Sequence, residues 1–142
     1  MKEKEKRLTL AIYNLNKVYL LHEKQKKVSG AELCLMYALD DGCPHSQKEI
    51  AEEWFVPLTT VNTIIKRWQK EGYLILTPIP GKRREKQILL TEVGKQYAKD
   101  IMAFVYQVEE RALKKTFERY SDEFIEALEY FGGCLKEAFA ET

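Results

Sequence analysis

Apolar side chains recur at steps of three and four residues near both ends of the chain, a spacing that predicts long amphipathic helices. The first is predicted over residues 4–24, a second begins at Thr91, and Ser121 caps a third. One small globule can bury only part of three such stripes. We therefore expect a homodimer built from both ends of the chain, because two-fold dimers are the commonest oligomers. The stripes consist of Leu8, Ile12, Leu15, Val18 and Tyr19; of Tyr97, Ile101, Phe104, Val105, Val108 and Leu113; and of Phe124, Ile125, Leu128, Phe131, Leu135 and Phe139.

Two shorter helices with marked starts are predicted between these terminal helices. Ser29 and Glu32 have the spacing of a capping box, and the helix that follows is apolar around most of its circumference, which favours a core position. Ser46 and Glu49 repeat the capping-box spacing before the next helix. The positions expected to be buried are Leu33, Leu35, Met36, Tyr37 and Leu39 in the first helix and Ile50, Ala51 and Trp54 in the second.

A tight turn at residues 55–57 leads into a further amphipathic helix. Pro57 suits the cap or the first position of that helix, which runs to about Glu71 and has Gly72 as its C′ residue. The side of this helix expected to pack on the core contains Val61, Ile64, Ile65 and Trp68.

The opposite side of this helix is polar and suits the major groove of DNA. Asn can bond adenine bidentately, Thr offers a hydroxyl and a methyl group, and Lys can meet guanine or phosphate. Thr60, near the helix start, is expected to bond a phosphate beside the exposed amides there. A solvated face is the ordinary alternative, but the capped helix before it and the basic hairpin after it favour a DNA-reading helix. The polar face contains Thr59, Asn62, Thr63 and Lys66.

A hairpin with a basic tip is predicted next. Residues 73–77 and 86–90 have the composition of short strands, and Pro78, Pro80 and Gly81 break the chain between them. Arginine suits a narrow minor groove because the negative potential there attracts it. A solvated tip is the alternative, and the prolines disfavour it by stiffening the loop. The predicted DNA-binding residues of the hairpin are Lys82, Arg83, Arg84 and Lys86.

Charge is unevenly distributed, although the formal net charge is only +1. Residues 1–28 hold eight Lys/Arg against three Asp/Glu, and residues 57–91 hold seven against two. Residues 29–56 and 92–142 are acidic. Such segregation is expected when one surface meets phosphates, although ordinary solvated charge would give the same tally.

Length and composition indicate one domain over residues 1–142. No apolar run approaches the roughly 20 residues that cross a bilayer, so we expect a cytoplasmic protein with no membrane partner. Three cysteines without a Cys-x-x-Cys pair fit a reducing compartment, and no metal-ligand spacing emerges. Without a phosphate loop, a nucleophile elbow or a paired His/carboxylate motif, an enzyme is disfavoured and no cofactor is expected.

The central residues resemble the MarR family of winged helix-turn-helix transcriptional regulators. The resemblance runs without gaps from Ile50 to Tyr73, and Leu90 to Lys95 is similar to the family's Leu-Thr-Glu-x-Gly motif. It implies a mainly α fold with a small β-hairpin wing and long N- and C-terminal dimerisation helices. It further implies a homodimer, expected to be a repressor, that reads a palindromic operator in double-stranded DNA, with Arg83 and Arg84 as wing arginines. The implied parts are a DNA-binding unit at 29–94 and a helical dimerisation region at 1–28 and 95–142.

Three positions depart from the family pattern. Lys82 stands where an Asp usually orients the wing, Phe55 where the turn usually has Gly, and Pro57 where Ser usually caps the recognition helix. The missing cap is expected to cost roughly 0.5–2 kcal/mol. The wing and the start of the recognition helix are therefore the parts of the site where this chain should differ from its relatives.

Control by a small molecule or by oxidation is a weaker expectation. Relatives often respond to phenolic ligands, and Tyr13, Tyr37 and Tyr73 are candidates for an aromatic effector pocket, with plain core packing as the favoured alternative. Cys43, in a polar turn, is the one cysteine we consider for redox sensing, because Cys34 and Cys134 are expected to be buried. The rival to a regulator is a winged-helix protein-interaction module that does not bind DNA.

Overall fold

The structure is a computed structural model that describes residues 1–26 and 28–142, with every side chain of these except that of Lys26. Lys27, inside the predicted terminal region 1–28, lies outside the described residues. The fold is mainly α with a small sheet, as predicted. The helices are α1 (Lys2–Lys26), α2 (Gly30–Leu39), α3 (Gln47–Glu53), α4 (Leu58–Lys70), α5 (Glu92–Arg119) and α6 (Glu123–Ala140), and the strands are β1 (His45–Ser46), β2 (Leu74–Ile79) and β3 (Lys82–Leu90).

The chain divides into two compact units, Met1–Met102 and Ala103–Thr142. The first contains α1 to α4, the whole sheet and the first turns of α5, and the second contains the rest of α5 and α6. None of the helices described is long and apolar enough to cross a membrane.

The core of the first unit lies between α2, α4 and the sheet. The four predicted apolar positions of α4, Val61, Ile64, Ile65 and Trp68, are all buried. Each is worth roughly 1.5–3 kcal/mol when fully withdrawn from water, so this face alone holds α4 firmly on the domain. The other side chains that are almost completely buried here are Leu35, Met36, Ile50, Leu74, Ile88 and Met102.

The sheet has the strand order β1-β3-β2 and is antiparallel throughout. The two-residue strand β1 was not predicted from the sequence. His45–Ser46 has no strand pattern of its own, and the strand forms by pairing with β3. Ile79 pairs with Lys82, so the turn of the hairpin is Pro80–Gly81, with Gly81 at φ 80°. The basic residues 82–84 therefore belong to β3 rather than to the tip, which corrects the predicted strand limits.

Helix starts agree with the sequence in part. Ser46 and Glu49 form the predicted capping box at α3. Ser29 accepts a hydrogen bond from the Glu32 backbone N–H at 3.2 Å, but the Glu32 carboxylate turns to another helix, so the second half of that box is absent. The N-cap of α6 is Asp122 rather than Ser121, and it makes no side-chain cap hydrogen bond.

The apolar stripes of α1 and α6 lie exposed in the single chain. Leu15 on α1 is 55% exposed and Leu128 on α6 is 47% exposed, and no residue of α6 is buried. A soluble monomer seldom leaves apolar stripes of this length uncovered, since large exposed apolar patches usually mark interaction sites. The exposed members include Leu8, Ile12, Val18 and Tyr19 on α1 and Phe124, Ile125, Leu135 and Phe139 on α6.

Candidate nucleic-acid interface

The polar face of α4 is displayed to solvent, as the helical spacing predicted. Thr59, Asn62, Thr63 and Lys66 are exposed, and Thr60 is half-buried at the flank. The Thr63 hydroxyl donates to the Thr59 carbonyl at 2.9 Å, so its proton is used within the helix and its methyl group and lone pairs remain for a ligand.

The start of α4 has no side-chain cap. Pro57 occupies the N-cap with its carbonyl accepting from the Val61 N–H at 3.0 Å, but it has no side-chain acceptor for the first-turn amides. Phe55, two residues earlier, has a φ of 52° and is 88% exposed. Left-handed backbone in a bulky residue is unfavourable by roughly 1–2 kcal/mol, so both departures from the family pattern weaken this turn.

A groove of about 470 Å³ joins α4 to the wing, the name used here for the β2–β3 hairpin. Thr59 and Asn62 form one side, and Arg84 and Lys86 form another. The structure therefore brings predicted residues of the recognition helix and of the wing onto a single concave surface. The groove is completed by Ser46, Gln47, Lys48, Leu58 and Glu85, which the sequence analysis did not assign to the site.

The arginines of the wing lie where the strand register is irregular. Pro78 pairs with Lys86 and Ile79 pairs with Lys82, which leaves residues 83–85 of β3 without direct partners on β2. Such a bulge redirects side chains away from the sheet. Its cause is visible in the sequence, because Pro78 has no N–H to donate to a regular ladder.

Charges on the wing are only partly neutralised. Lys82 Nζ lies 3.0 Å from Glu85 Oε2, so the cation that replaces the usual Asp is paired with the one acidic residue of β3. Among the described residues, Arg83, Arg84 and Lys86 make no ion pair. Within the described residues, the wing thus presents three cations without an ion pair, and two of them, Arg84 and Lys86, line the groove with α4.

The C-terminal end of α4 is held by several contacts. Gly72, at φ 80°, and Tyr73 donate to the Gln69 and Trp68 carbonyls, which is a Schellman motif. The Thr91 hydroxyl donates to the Gly72 carbonyl at 2.6 Å and accepts from the Gly94 N–H at 3.1 Å. The Leu-Thr-Glu-x-Gly motif therefore joins the end of α4 to the start of α5.

Aromatic rings pack over this junction. Tyr73 and Tyr97 stack with ring centroids 4.3 Å apart, and Trp68 meets Tyr97 edge-on at 6.1 Å. Burial, assisted by the nearby Glu32 carboxylate, raises the pKa of Tyr97. Glu32 itself bonds Arg67 of α4, with Oε1 and Nη2 2.6 Å apart, and that hydrogen bond raises the pKa of the Arg67 guanidinium.

The three tyrosines considered for an effector pocket lie in different surroundings. Tyr37 stacks on Trp54 at 5.6 Å, Tyr73 belongs to the stack at the α4–α5 junction, and Tyr13 is 68% exposed on α1. A separate cavity of about 290 Å³ lies between the end of α2, the end of β3 and the second turn of α5. Its lining residues are Leu39, Asp40, Gly42, Cys43, Leu89, Leu90, Lys95, Ala98 and Lys99.

Cys43 borders that cavity and is exposed, with its thiol 3.7 Å from the Asp41 carbonyl. Cys34 is half-buried, and burial, reinforced by Glu23, raises the pKa of its thiol. Cys134 is exposed in the chain, contrary to the sequence prediction. Within the described residues, no group of three or more His, Cys, Asp or Glu side chains is arranged to hold a metal ion.

The His45 ring lies between two carboxylates, 2.7 Å from Asp41 Oδ2 and 3.3 Å from Glu49 Oε2. The Cys43 backbone N–H, followed by His45, lowers the pKa of Asp41. These contacts tie the loop after α2 to the capped start of α3, whose first residues line the groove.

Comparison with known proteins points to one family. Residues 27–85 match the model of the MarR family. No protein of curated function matches the sequence. A MarR family regulator from Neisseria meningitidis is 20% identical, with 95% of each chain covered and a TM-score of 0.81.

Two further solved structures share the fold. MepR of S. aureus, in a DNA-binding conformation, is 13% identical over 90% of this chain and 95% of its own, with a TM-score of 0.73. FabT of Streptococcus pneumoniae, in complex with DNA, is 17% identical over 96% of this chain and 97% of its own, with a TM-score of 0.65. The matched segment contains α2, α3, α4, β2 and the first residues of β3, and the chain shares the winged helix-turn-helix fold of these MarR family structures over nearly its whole length.

Proposed function

We propose that this regulator binds double-stranded DNA in a sequence-specific manner through α4 and the wing. The observation that carries the proposal is the groove shared by Thr59, Asn62, Arg84 and Lys86, in which the two wing cations form no ion pair with any residue that the structure describes. A protein-interaction module would need neither a cationic groove nor a polar helix face next to it. The proposal includes no enzymatic step.

Each side chain has a distinct role in this proposal. Asn62 reads adenine through two hydrogen bonds, while Lys66 contacts guanine or a phosphate. Thr59 and Thr63 meet base edges through hydroxyl and methyl groups, and Thr60 meets a phosphate at the helix start. Arg83 and Arg84 enter a narrow minor groove, and Lys82 and Lys86 add electrostatic attraction to the backbone.

Selection from a random duplex pool, followed by salt titration of the winning sequence, tests this function. Affinity should fall with salt at a log–log slope near −0.9 per contacted phosphate. Arg84→Ala should weaken binding strongly, whereas Lys99→Ala on α5, outside the groove, serves as the matched loss of one cation. Equal effects of the two variants would argue against the wing, and a protein that binds no duplex at about 50 mM salt would favour the interaction module.

We further propose a homodimer that recognises a palindromic operator. The exposed stripes of α1 and α6 support a second copy as their partner, since a stable interface needs roughly 800 Å² per protomer of well-packed surface. Two copies related by a two-fold axis would present two α4 helices to two half-sites about one helical turn apart.

Sedimentation of charged variants tests the dimer. Leu128→Glu should dissociate it, because a carboxylate would be buried in the apolar interface, while costing the separate chain little at an exposed position. Glu118→Gln on α5, which changes an exposed charge outside the stripes, is the control. A wild-type protein that sediments as a monomer at micromolar concentration would contradict the proposal.

Repression by operator occupancy, relieved by a small effector, completes the proposal. The cavity beside Leu89, Leu90 and Lys95 adjoins the exit of the wing, so a ligand there could alter the angle of the wing. Cys43 borders the same cavity and is the site for the redox alternative. Peroxide treatment of wild type and Cys43→Ser separates the two: an oxidative switch requires a loss of DNA affinity in the wild type alone.

A further inference from the structure

Among the residues that the structure describes, Glu32 is the charged residue that is buried, with an exposed fraction of 8%. Its spacing from Ser29 predicts a cap at the start of α2. Its carboxylate instead points to α4, where its Oε1 lies 2.6 Å from Arg67 Nη2. Burying a carboxylate is costly unless a cation and hydrogen bonds compensate it. A contact maintained at this cost, directed at the DNA-reading helix, calls for a role beyond packing.

Arg67 occupies the border between the two faces of α4. At about 100° per residue, it projects between the polar face that carries Asn62 and Lys66 and the buried side that carries Ile64 and Trp68. Its side chain is 49% exposed, and its Nη2 meets the Glu32 carboxylate. A bond at this border resists rotation of the helix about its own axis.

Apolar packing alone provides weaker resistance to such rotation. Hydrophobic contact is not directional, whereas a short charge-assisted hydrogen bond is. A rotation of about 10° at the roughly 5–6 Å outer radius of a helix displaces a side-chain tip by about 1 Å, which is enough to spoil a bidentate hydrogen bond to a base.

We propose that Glu32 is a positioning residue for DNA recognition: through Arg67 it fixes the rotation of α4, and thereby which base edges Asn62 and Lys66 reach. The inference rests on the proposed DNA-binding function. Under this proposal, Glu32 affects how well the protein discriminates between DNA sequences, and it does not change the number of phosphates that the protein contacts. In the competing explanation, Arg67 is itself a phosphate contact, and Glu32 only keeps the Arg67 guanidinium away from the DNA.

The test uses Glu32→Gln in the full-length protein, which keeps the side-chain shape and leaves no buried charge behind. Glu110→Gln, which neutralises the exposed pair with Lys114, is the matched control. The probes are the duplex that the wild type selects from a random pool and a scrambled duplex of equal composition. The ratio of the two affinities should fall about tenfold in Glu32→Gln, since one good bidentate base contact carries discrimination of this order. The salt slope should stay unchanged, because the phosphate contacts remain.

Hydrogen–deuterium exchange over Leu58–Lys70 without DNA measures the anchoring by itself, and it should accelerate in Glu32→Gln and not in Glu110→Gln. If Glu32→Gln does not fold, the double variant Glu32→Gln/Arg67→Gln removes both charges together and takes its place.

Equal affinity losses on both duplexes, with a lower melting temperature, would overturn the proposal in favour of a purely structural pair. Tighter binding of both duplexes by Glu32→Gln, together with a smaller salt slope in Arg67→Gln, would also overturn the proposal, because Arg67 would then be a phosphate contact. A wild type that binds no duplex would end the proposed function, while the exchange experiment would still decide whether Glu32 holds α4.

Discussion

The two ends of α4 are built in opposite ways. The C-terminal end has a Schellman motif at Gly72, a hydroxyl bond from Thr91 and a stacked pair of tyrosines. The N-terminal end begins at Pro57 without a side-chain cap and follows Phe55 in a left-handed conformation. One end is held by several independent contacts, and the other is held by little beyond its apolar face.

This asymmetry has a consequence for binding. The first-turn amides of a helix without a side-chain cap remain available as donors, and a phosphate can supply the missing acceptor. The anchored end meanwhile fixes the direction of the helix. In the free chain the orientation of α4 is therefore maintained from its C-terminal end, and in the proposed DNA complex a phosphate would complete the N-terminal end.

The largest expected effect is at Gly94, in the anchored end. A Cβ at this position would lie inside the Tyr73 peptide, 2.7 Å from its carbonyl carbon. Gly94→Ala should therefore separate α5 from the end of α4 and lower the free energy of unfolding by about 3 kcal/mol or more. Chemical denaturation measures the loss.

Gly133→Ala on α6 is the control for this prediction, because no atom of the described residues lies within 4 Å of its Cβ position. In a helix interior the same change should raise stability by roughly 0.4–1 kcal/mol in the absence of a partner chain. Similar losses in the two variants would mean that the close approach at Tyr73 is not the cause.

The next effect in size concerns the hydroxyl of Thr91. Thr91→Val retains the shape but removes the donor to Gly72 and the acceptor for Gly94, so we expect a loss of about 1–2 kcal/mol. Thr91→Ser keeps both hydrogen bonds and should remain within about 0.5 kcal/mol of the wild type. If the Ser variant is as unstable as the Val variant, the methyl group and not the hydroxyl maintains the junction.

How far the sequence predicts each end of α4 follows from how local its contacts are. Gly72 as the C′ residue and Thr91 as the start of α5 were predicted because such residues leave signatures within a few positions, whereas the close approach of Gly94 to Tyr73 was not predicted. Pro57 and Phe55 were recognised as departures because the resemblance to the MarR family supplies the pattern from which they differ. The fold class followed from helical spacing and from the family motif.

Contacts between distant residues were missed, because no local pattern encodes them. Glu32 has the spacing of a capping box, and only the tertiary fold shows that its carboxylate serves Arg67 on another helix. Strand β1 exists by pairing with β3, and Gln47 and Lys48 join the groove because α3 and the wing converge. The sequence therefore predicted which face of α4 is exposed, but it did not predict the residues that border the candidate site.

A new cap at Pro57 would make the two ends more alike. Pro57→Ser should supply an acceptor for the first-turn amides and raise stability by roughly 0.5–1 kcal/mol, part of the capping energy being offset by the lost rigidity of proline. If those amides serve a phosphate, the same variant should bind DNA more weakly. Ser46→Ala, which removes an existing cap at α3, provides the opposite change and should cost about 1 kcal/mol. Tighter DNA binding by Pro57→Ser would contradict the role given to the open end.

Relief of the strained turn is expected to have a smaller effect. Asn tolerates the left-handed conformation of Phe55, and the exposed ring gives up little packing, so Phe55→Asn should gain about 0.5 kcal/mol. Phe55→Ala removes the ring but keeps a Cβ in the same backbone conformation, and it should show no gain. Equal stabilisation by both variants would indicate that the exposed ring, and not the φ angle, is unfavourable.

The smallest effect is a pH dependence of the anchored end. Burial, followed by the proximity of Glu32, raises the pKa of Tyr97, so the native state favours the neutral phenol. An acid whose pKa is higher in the folded state binds more protons there than in the unfolded state, and stability falls as pH rises above the unfolded value near 10. Tyr97→Phe keeps the stack on Tyr73 without an ionisable group. Urea midpoints between about pH 8 and 11 should therefore fall more steeply in the wild type than in Tyr97→Phe, because only the wild type must keep a phenol protonated against the rising pH. Parallel curves would mean that the phenolate of Tyr97 is as well solvated at the α4–α5 junction as in the unfolded chain, and the difference between the two ends of α4 would then rest on hydrogen bonds and packing alone.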